Sequence, residues 1–321
     1  MSGKRWNIVE THAVAKHKTV AGDKFVNNYH VLRTLGQGRF AKFAIKIFSK
    51  KALSRMKEYI TTPPSQPGEA SSMRVVTALD RVRDEIAIMR TLYHRNIALL
   101  FEVIESESND KIYMVVELMS GGPCMVFDPE TKRFDSPITG GTATEELAQS
   151  YFRDVLEALK YLHGRGVCHR DIKPDNILLN GSGRCHLTDF GCAMAFDTSS
   201  SSETARVSDT VGTYQFLAPE CCSGEPYDPF KVDVWAAGVV LYIFLTGTLP
   251  FNAEGTKELF EEIATAPIEL PLEVREEVRP VCIDLIHRLL ERNPGDRISV
   301  RDALAHPWLT EDDGDGQPIF F

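Results

Sequence analysis

Residues 169–176 read His-Arg-Asp-Ile-Lys-Pro-Asp-Asn, and Asp189 opens Asp-Phe-Gly thirteen positions after Asn176. Carboxylates and an amide oxygen are hard donors suited to divalent cations, and a held carboxylate can also orient a hydroxyl and accept its proton. Nearer the N-terminus, Lys46 is the one charge in the apolar run Phe43–Phe48. Each short pattern alone could arise by chance, so their meaning depends on the elements that position them.

Two kinds of segment hold these residues. Tyr29–Gly36 and Phe43–Phe48 read as strands, and residues 97–104 and 112–118 read as two more about the polar turn Ser-Glu-Ser-Asn-Asp. Between them, 61–72 contains three prolines and reads as a loop, while Leu79, Val82, Ile86 and Met89 recur at helical spacing and put Glu85 beside an apolar stripe. Residues 1–28 are mixed and polar, an arm rather than a core element. After residue 118 the pattern turns helical. A glycine- and acid-rich loop over 120–141 leads to a capping box at Thr142–Glu145, followed by a helix with Leu147, Tyr151, Val155, Leu159 and Leu162 on one side. Further helices are expected at 231–247, apolar nearly all round, and at 280–291.

Composition narrows the classes. The 321 residues are 43% apolar and 25% charged, which excludes disorder, collagen and coiled coil as the main state. The net charge of −9 argues against nucleic acid as the principal partner, although residues 1–60 carry 13 Lys and Arg against 3 Asp and Glu. Seven cysteines at irregular spacing suggest no disulfide framework, so a reducing, cytoplasmic or nuclear location is expected. The N-terminus lacks the apolar core of a signal peptide. The longest apolar stretch, Val234–Leu245, is twelve residues against the roughly 20 that a bilayer requires, so no membrane association is expected.

The motifs 169–176 and 189–191, with Ala-Pro-Glu at 218–220, Asp233–Gly238, Arg297 and His306-Pro307-Trp308 in that order, resemble a eukaryotic protein kinase. The fold implied is α+β and bilobal, with an arm at 1–28, a kinase domain at 29–309 (a small β-rich N-lobe to 118, a larger α-helical C-lobe from 119) and an acidic tail at 310–321. The resemblance implies ATP and Mg²⁺ as cofactors and a protein as substrate. It makes Asp171 the acceptor of the substrate hydroxyl proton, Asn176 and Asp189 the Mg²⁺ ligands, and Lys173 a contact to the transferring phosphate, as in serine/threonine-specific members. Thr213 supports the same specificity. A transferring phosphoryl group spreads negative charge over its oxygens, which explains why cations and hard oxygen ligands gather there. Glu220 is expected to pair with Arg297, and Asp233 to hold the backbone of the 169–171 turn.

The nucleotide site is implied by Leu35, Gly36 and Gly38 of a glycine loop with Ala41 in its third glycine's place. Lys46 paired with Glu85, the hinge Glu117 to Met119 behind Val116, and Ala44 with Leu178 about the adenine complete it. Met89, Leu100, His169 and Phe190 occupy the positions that stack through the two lobes of active kinases. The family pattern is broken at one place. Lys46 follows Ala41 by only five positions, where the family inserts a further strand and turn. The six steps from Phe40 to Lys46 reach at most ~20 Å, too short for a hairpin, so one strand of the small sheet is expected to be missing. Two outcomes stay open: a working kinase whose segment was lost from the gene model or by splicing, or a weak or inactive pseudokinase that acts as a scaffold.

Residues 10–12 with Asn28-Tyr29, the proline-rich insert and residues 117–125 together resemble the calcium/calmodulin-dependent protein kinase kinases and their fungal counterparts. That group phosphorylates activation-loop threonines of downstream kinases. Pro123 stands where basophilic kinases carry an acid, and the insert holds Arg74 alone where animal members are rich in arginine and proline. No basic amphipathic segment follows Trp308, so a C-terminal calmodulin-binding segment is not expected. Thr210 lies where many kinases are phosphorylated, and a phosphate there would meet Arg170.

Overall fold

The computed structural model describes residues 8–18, 24–27, 29–31, 43–62, 72–196 and 205–310. They fall into two compact units, one of residues up to 93 together with 98–118, the other of 94–97 together with 119 onward.

The first unit begins with short strands β1 (Val9–Thr11), β2 (Lys16–Lys18), β3 (Lys24–Val26) and β4 (Tyr29–Val31). Next come β5 (Phe43–Ser49), α1 (Lys50–Arg55), β6 (Lys57–Thr62), β7 (Ser72–Thr77), α2 (Ala78–Met89), β8 (Leu100–Glu105) and β9 (Lys111–Glu117). The main sheet has the order β1-β8-β9-β5. Its centre is β9, where Ile112 to Val116 are all buried, because a strand covered on both faces reads as one apolar run. Strands β2, β3 and β4 form a separate sheet, and Val26 packs with Ile104, Tyr113 and Val115. Of the expected arm, residues 9–11, 16–18 and 24–26 are therefore strands. The sequence Val-Glu-Thr has no apolar period to detect, and what makes it a strand is parallel pairing to the edge of β8, Val9 opposite Glu102.

The proline-rich stretch needs a similar correction. Residues 57–62 and 72–77 pair as antiparallel strands, so 61, 62 and 72 of the expected loop are strand residues, and 63–71 lie outside the described residues. The second arm ends in Thr77, which caps α2 through a reciprocal capping box with Asp80. Among the described residues β5 bonds to β9 alone.

The second unit holds β10 (Gly122–Pro123), β11 (Val126–Asp128) and β12 (Arg133–Asp135), so the segment 120–141 is not a plain loop: β11 and β12 pair as a hairpin. Helix α3 (Glu145–His163) follows. Its N-cap is Thr144, whose hydroxyl accepts from Leu147 N, and not Thr142 as the pattern suggested. Glu145 instead leaves the helix start to accept from Arg279 and from Trp308 Nε1 at 2.8 Å. Beyond α3 come β13 (Val167–Cys168), β14 (Ile177–Leu179), β15 (Cys185–Leu187) and β16 (Met194–Ala195). The unit closes with α4 (Pro229–Thr246), α5 (Thr256–Thr265), α6 (Leu272–Glu277), α7 (Pro280–Leu289), α8 (Val300–Leu304) and α9 (Pro307–Thr310).

Helix α4 is the core of this unit. Its mean hydropathy of 1.4 over 18 residues would suffice to cross a bilayer, but 89% of that span is buried within the protein. Gly238 lets α7 come close: a Cβ there would lie 2.8 Å from Leu289 Cβ.

Candidate active site

In the first unit, β5 sets Lys46 opposite Met114, and α2 turns Glu85 inward until it is 4% exposed. The two meet at 2.9 Å, Lys46 Nζ to Glu85 Oε1. The expected pair is therefore formed although Lys46 follows Ala41 by only five positions. The reason is geometric, because pairing with β9 fixes the register of β5 and the capping box fixes the start of α2. Ala44 lies opposite Val116, and Phe43 opposite Glu117. Glu117 is tied twice to Leu99, the residue before β8, donating its N–H to Leu99 O at 2.8 Å and accepting Leu99 N on its carboxylate. Met89 and Leu100 are buried in this unit. Leu35, Gly36 and Gly38 lie outside the described residues.

In the second unit the loop after β13 is held from below by one buried acid. Asp233, on α4 and without exposure, accepts from His169 N at 2.9 Å, from Arg170 N at 2.8 Å, and meets His163 Nε2 at 2.9 Å. Arg170 and Asp189 are held at φ 67° and 59°, a left-handed conformation that costs non-glycine residues energy and persists only where surroundings impose it. His169 packs against Phe190, ring centroids 5.0 Å apart and tilted by 57°, and contacts Thr188 O.

Asp171 is the most heavily partnered side chain of the loop. Its Oδ2 meets Lys173 Nζ at 2.8 Å and accepts from Asn176 Nδ2 at 2.9 Å, while Oδ1 accepts from Thr213 Oγ1 at 2.9 Å and Thr213 N at 3.2 Å. Lys173 also donates to Thr213 Oγ1. Burial by itself would raise the Asp171 pKa, but the hydrogen bond and charge of Lys173, helped by Thr213, outweigh it and hold the carboxyl below its usual range. The result is an ionised, oriented carboxylate beside a cation and a hydroxyl.

Asn176 ends the turn Pro174–Asn176 and commits its amide nitrogen twice to Asp171, to the backbone O at 2.8 Å as well as to the carboxylate. Its oxygen is the atom left to accept. With the Asp189 carboxylate this makes a pair of hard oxygens. Among the described residues no group of three or more His, Cys, Asp or Glu could hold a metal. Two protein oxygens completed by phosphate and water suit magnesium, which keeps much of its shell from non-protein ligands. The donor set fits Mg²⁺. Leu178, on β14, lies opposite His186, and Met119 O accepts Gly122 N at 3.2 Å.

The segment from 205 to 222 shows what the motifs alone missed. The buried guanidinium of Arg170 pairs with Asp209 at 2.5 Å, and Tyr227 donates to Asp209 O at 2.6 Å. Thr210 Oγ1 donates to Cys221 O. A phosphate on Thr210 would thus meet an arginine that already has a carboxylate. Gly212, at φ 110°, has Arg170 O only 2.6 Å from where a Cβ would stand, so no side chain fits there. Glu220 and Arg297 form a two-pronged pair at 2.6 and 2.9 Å. Nothing in the spacing of residues 205–222 marks Asp209 or Thr213 as partners of the loop.

The pKa of Asp233 is pulled in two directions. Burial raises it, but the hydrogen bond and charge of His163, helped by the charge and N–H of His169, win and hold it below the usual range. A depressed folded pKa means stability that is present above the unfolded value near 3.9 and lost as pH falls through the folded one. Thermal stability should fall as pH drops from 5 towards 3, and Asp233→Asn should flatten that slope by about one proton's share. Identical slopes for the two proteins would show that Asp233 does not carry it.

A loop of this kind, with a paired strand lysine and an internal Glu–Arg bridge, defines a class. Residues 29–309 match the family model of the protein kinase domain, and the chain belongs to the protein kinase family. It is 32% identical over 97% of its length to serine/threonine-protein kinase GRIK1 of Arabidopsis thaliana, of which it covers 74%. To serine/threonine-protein kinase ssp1 of Schizosaccharomyces pombe it is 34% identical over 96% of its length, and to TOS3 of Saccharomyces cerevisiae 31% over 89%. It spans about half of each of these yeast relatives, 47% and 54%. The protein is accordingly a protein serine/threonine kinase, of a family that uses ATP and Mg²⁺ and acts on protein substrates.

Proposed function

We propose that the chain transfers the γ-phosphoryl group of ATP to serine or threonine hydroxyls, and that its substrates are activation-loop threonines of downstream kinases. The observation that carries the transfer is the ionised Asp171, oriented by Lys173, Asn176 and Thr213. In this reading Asp171 orients the attacking oxygen and takes its proton, and Lys173 faces the charge that develops on the transferring group. Asn176 and Asp189 would hold Mg²⁺, which when bound neutralises phosphate charge. In the first unit, Lys46, fixed by Glu85, would bind the α- and β-phosphates and Ala44 would meet the adenine; in the second unit the family pattern gives Met119 and Leu178 the same role.

The narrower substrate class is supported by the likeness of residues 10–12, 28–29 and 117–125 to the calcium/calmodulin-dependent protein kinase kinases, and by Pro123 in place of an acid. A pseudokinase is the second reading, favoured by one observation: among the described residues β5 has a single partner strand. Nucleotide binding and transfer separate the two. ATP with Mg²⁺ at 100 times its Kd should stabilise the fold by about 2.7 kcal/mol, and the chain should phosphorylate an activation-loop peptide. Stabilisation without transfer would favour the scaffold, and neither would overturn the proposal. Asp189→Ala should weaken Mg·ATP binding at least tenfold while leaving Mg²⁺-free nucleotide affinity unchanged, a loss of about 1.4 kcal/mol or more. Unchanged Mg²⁺-dependent affinity would remove Asp189 from the metal site.

A further inference from the structure

Helix α2 carries Glu85 in its middle and is tied to peripheral elements at both ends. Near its start, Arg81 donates to Glu58 of β6 through Nε at 3.1 Å and Nη2 at 2.5 Å. At its end Arg90, the C-cap residue, meets Glu10 Oε1 of β1 at 2.8 Å. Strand β1 is in turn fastened to β8, by parallel ladder bonds and by Glu102, whose carboxylate accepts from Thr11 Oγ1 and from Tyr29 OH at 2.5 Å. The path runs from β8 through β1 to the end of the helix that presents Glu85.

We propose that Glu10 and Arg90 are positioning residues for phosphoryl transfer, and that their pair sets the angle at which α2 presents Glu85 to Lys46. The proposal rests on the kinase reading above. A helix held at its start alone can rotate about that point, and the Lys46–Glu85 contact at 2.9 Å tolerates little rotation before it opens. Glu10 and Arg90 keep 46% and 36% side-chain exposure, so their pair adds little to global stability. A bias between two positions of one helix needs far less than unfolding does. The fraction of chains with Glu85 in place directly scales the apparent affinity for nucleotide.

The test uses the full 321-residue chain with Glu10→Arg, Arg90→Glu and the double exchange. Each single reversal should lower kcat/KM for Mg·ATP about threefold to tenfold, with the unfolding midpoint within about 2 °C of the parent. The double exchange should recover at least half of the loss. Hydrogen exchange at the amides of Ala78–Met89 should follow the same order, faster in each single variant and restored in the double. That readout needs no catalysis. A parent chain without transfer would sink the kinase reading, while the exchange pattern would still decide the role of the pair. Exchange in α2 unchanged by either reversal would overturn the proposal. So would losses that the double exchange does not restore, or losses that track a falling midpoint as for a merely structural pair.

Discussion

Asp171→Asn is expected to lower kcat about 10²–10⁴-fold, the range a positioned proton acceptor contributes, while Mg·ATP affinity and unfolding midpoint stay close to the parent. The asparagine keeps the size of the side chain and an oxygen for Thr213. It loses the charge that Lys173 answers, and it turns a donor towards Lys173 and Asn176, which are donors themselves. The hydroxyl of an incoming substrate then has neither an anionic acceptor nor an oriented oxygen. Single-turnover phosphorylation of an activation-loop peptide, with nucleotide binding measured separately, gives the comparison. Transfer within tenfold of the parent would remove Asp171 from the chemistry.

Glu220→Ala should cost about 3–5 kcal/mol of stability, the usual penalty for removing one partner of a buried ion pair. Arg297 has no side-chain exposure, and both terminal nitrogens reach Glu220. Its other acceptors, the carbonyls of Lys231, Glu291 and Arg292, carry no full charge, so the variant leaves a guanidinium buried without a counterion. Glu220→Gln keeps one acceptor oxygen in place and should fall between the parent and the alanine variant. Urea unfolding of the three proteins measures the difference. An alanine variant within 1 kcal/mol of the parent would show that the carbonyl acceptors suffice.

The motifs around 169–176 and 189–191 were legible because catalytic loops use short, contiguous stretches whose residue types are dictated by chemistry. The α2 stripe was legible through its period, and it placed Glu85 correctly beside it. Strand β1 and the β6–β7 hairpin were not, because a three-residue strand has no period and a proline-rich insert hides the arms on either side of it. The start of α3 was misread for a related reason. Thr142–Glu145 and Thr144–Leu147 offer competing caps, and the choice fell to Glu145, drawn away to Arg279 and Trp308, more than 130 residues distant in sequence.

What the sequence by itself determined is the family, the order of its motifs and the residue types of the candidate site, since these follow from the local demands that phosphate, cation and hydroxyl chemistry would make. Tertiary structure alone decided the partners that the motifs do not name. Asp209 beside Arg170, Thr213 on Asp171, and Glu10 at the end of α2 are contacts across 39, 42 and 80 positions. Ionic and hydrogen-bonded partners carry no spacing rule when they come from different elements, because only packing fixes how far apart those elements lie.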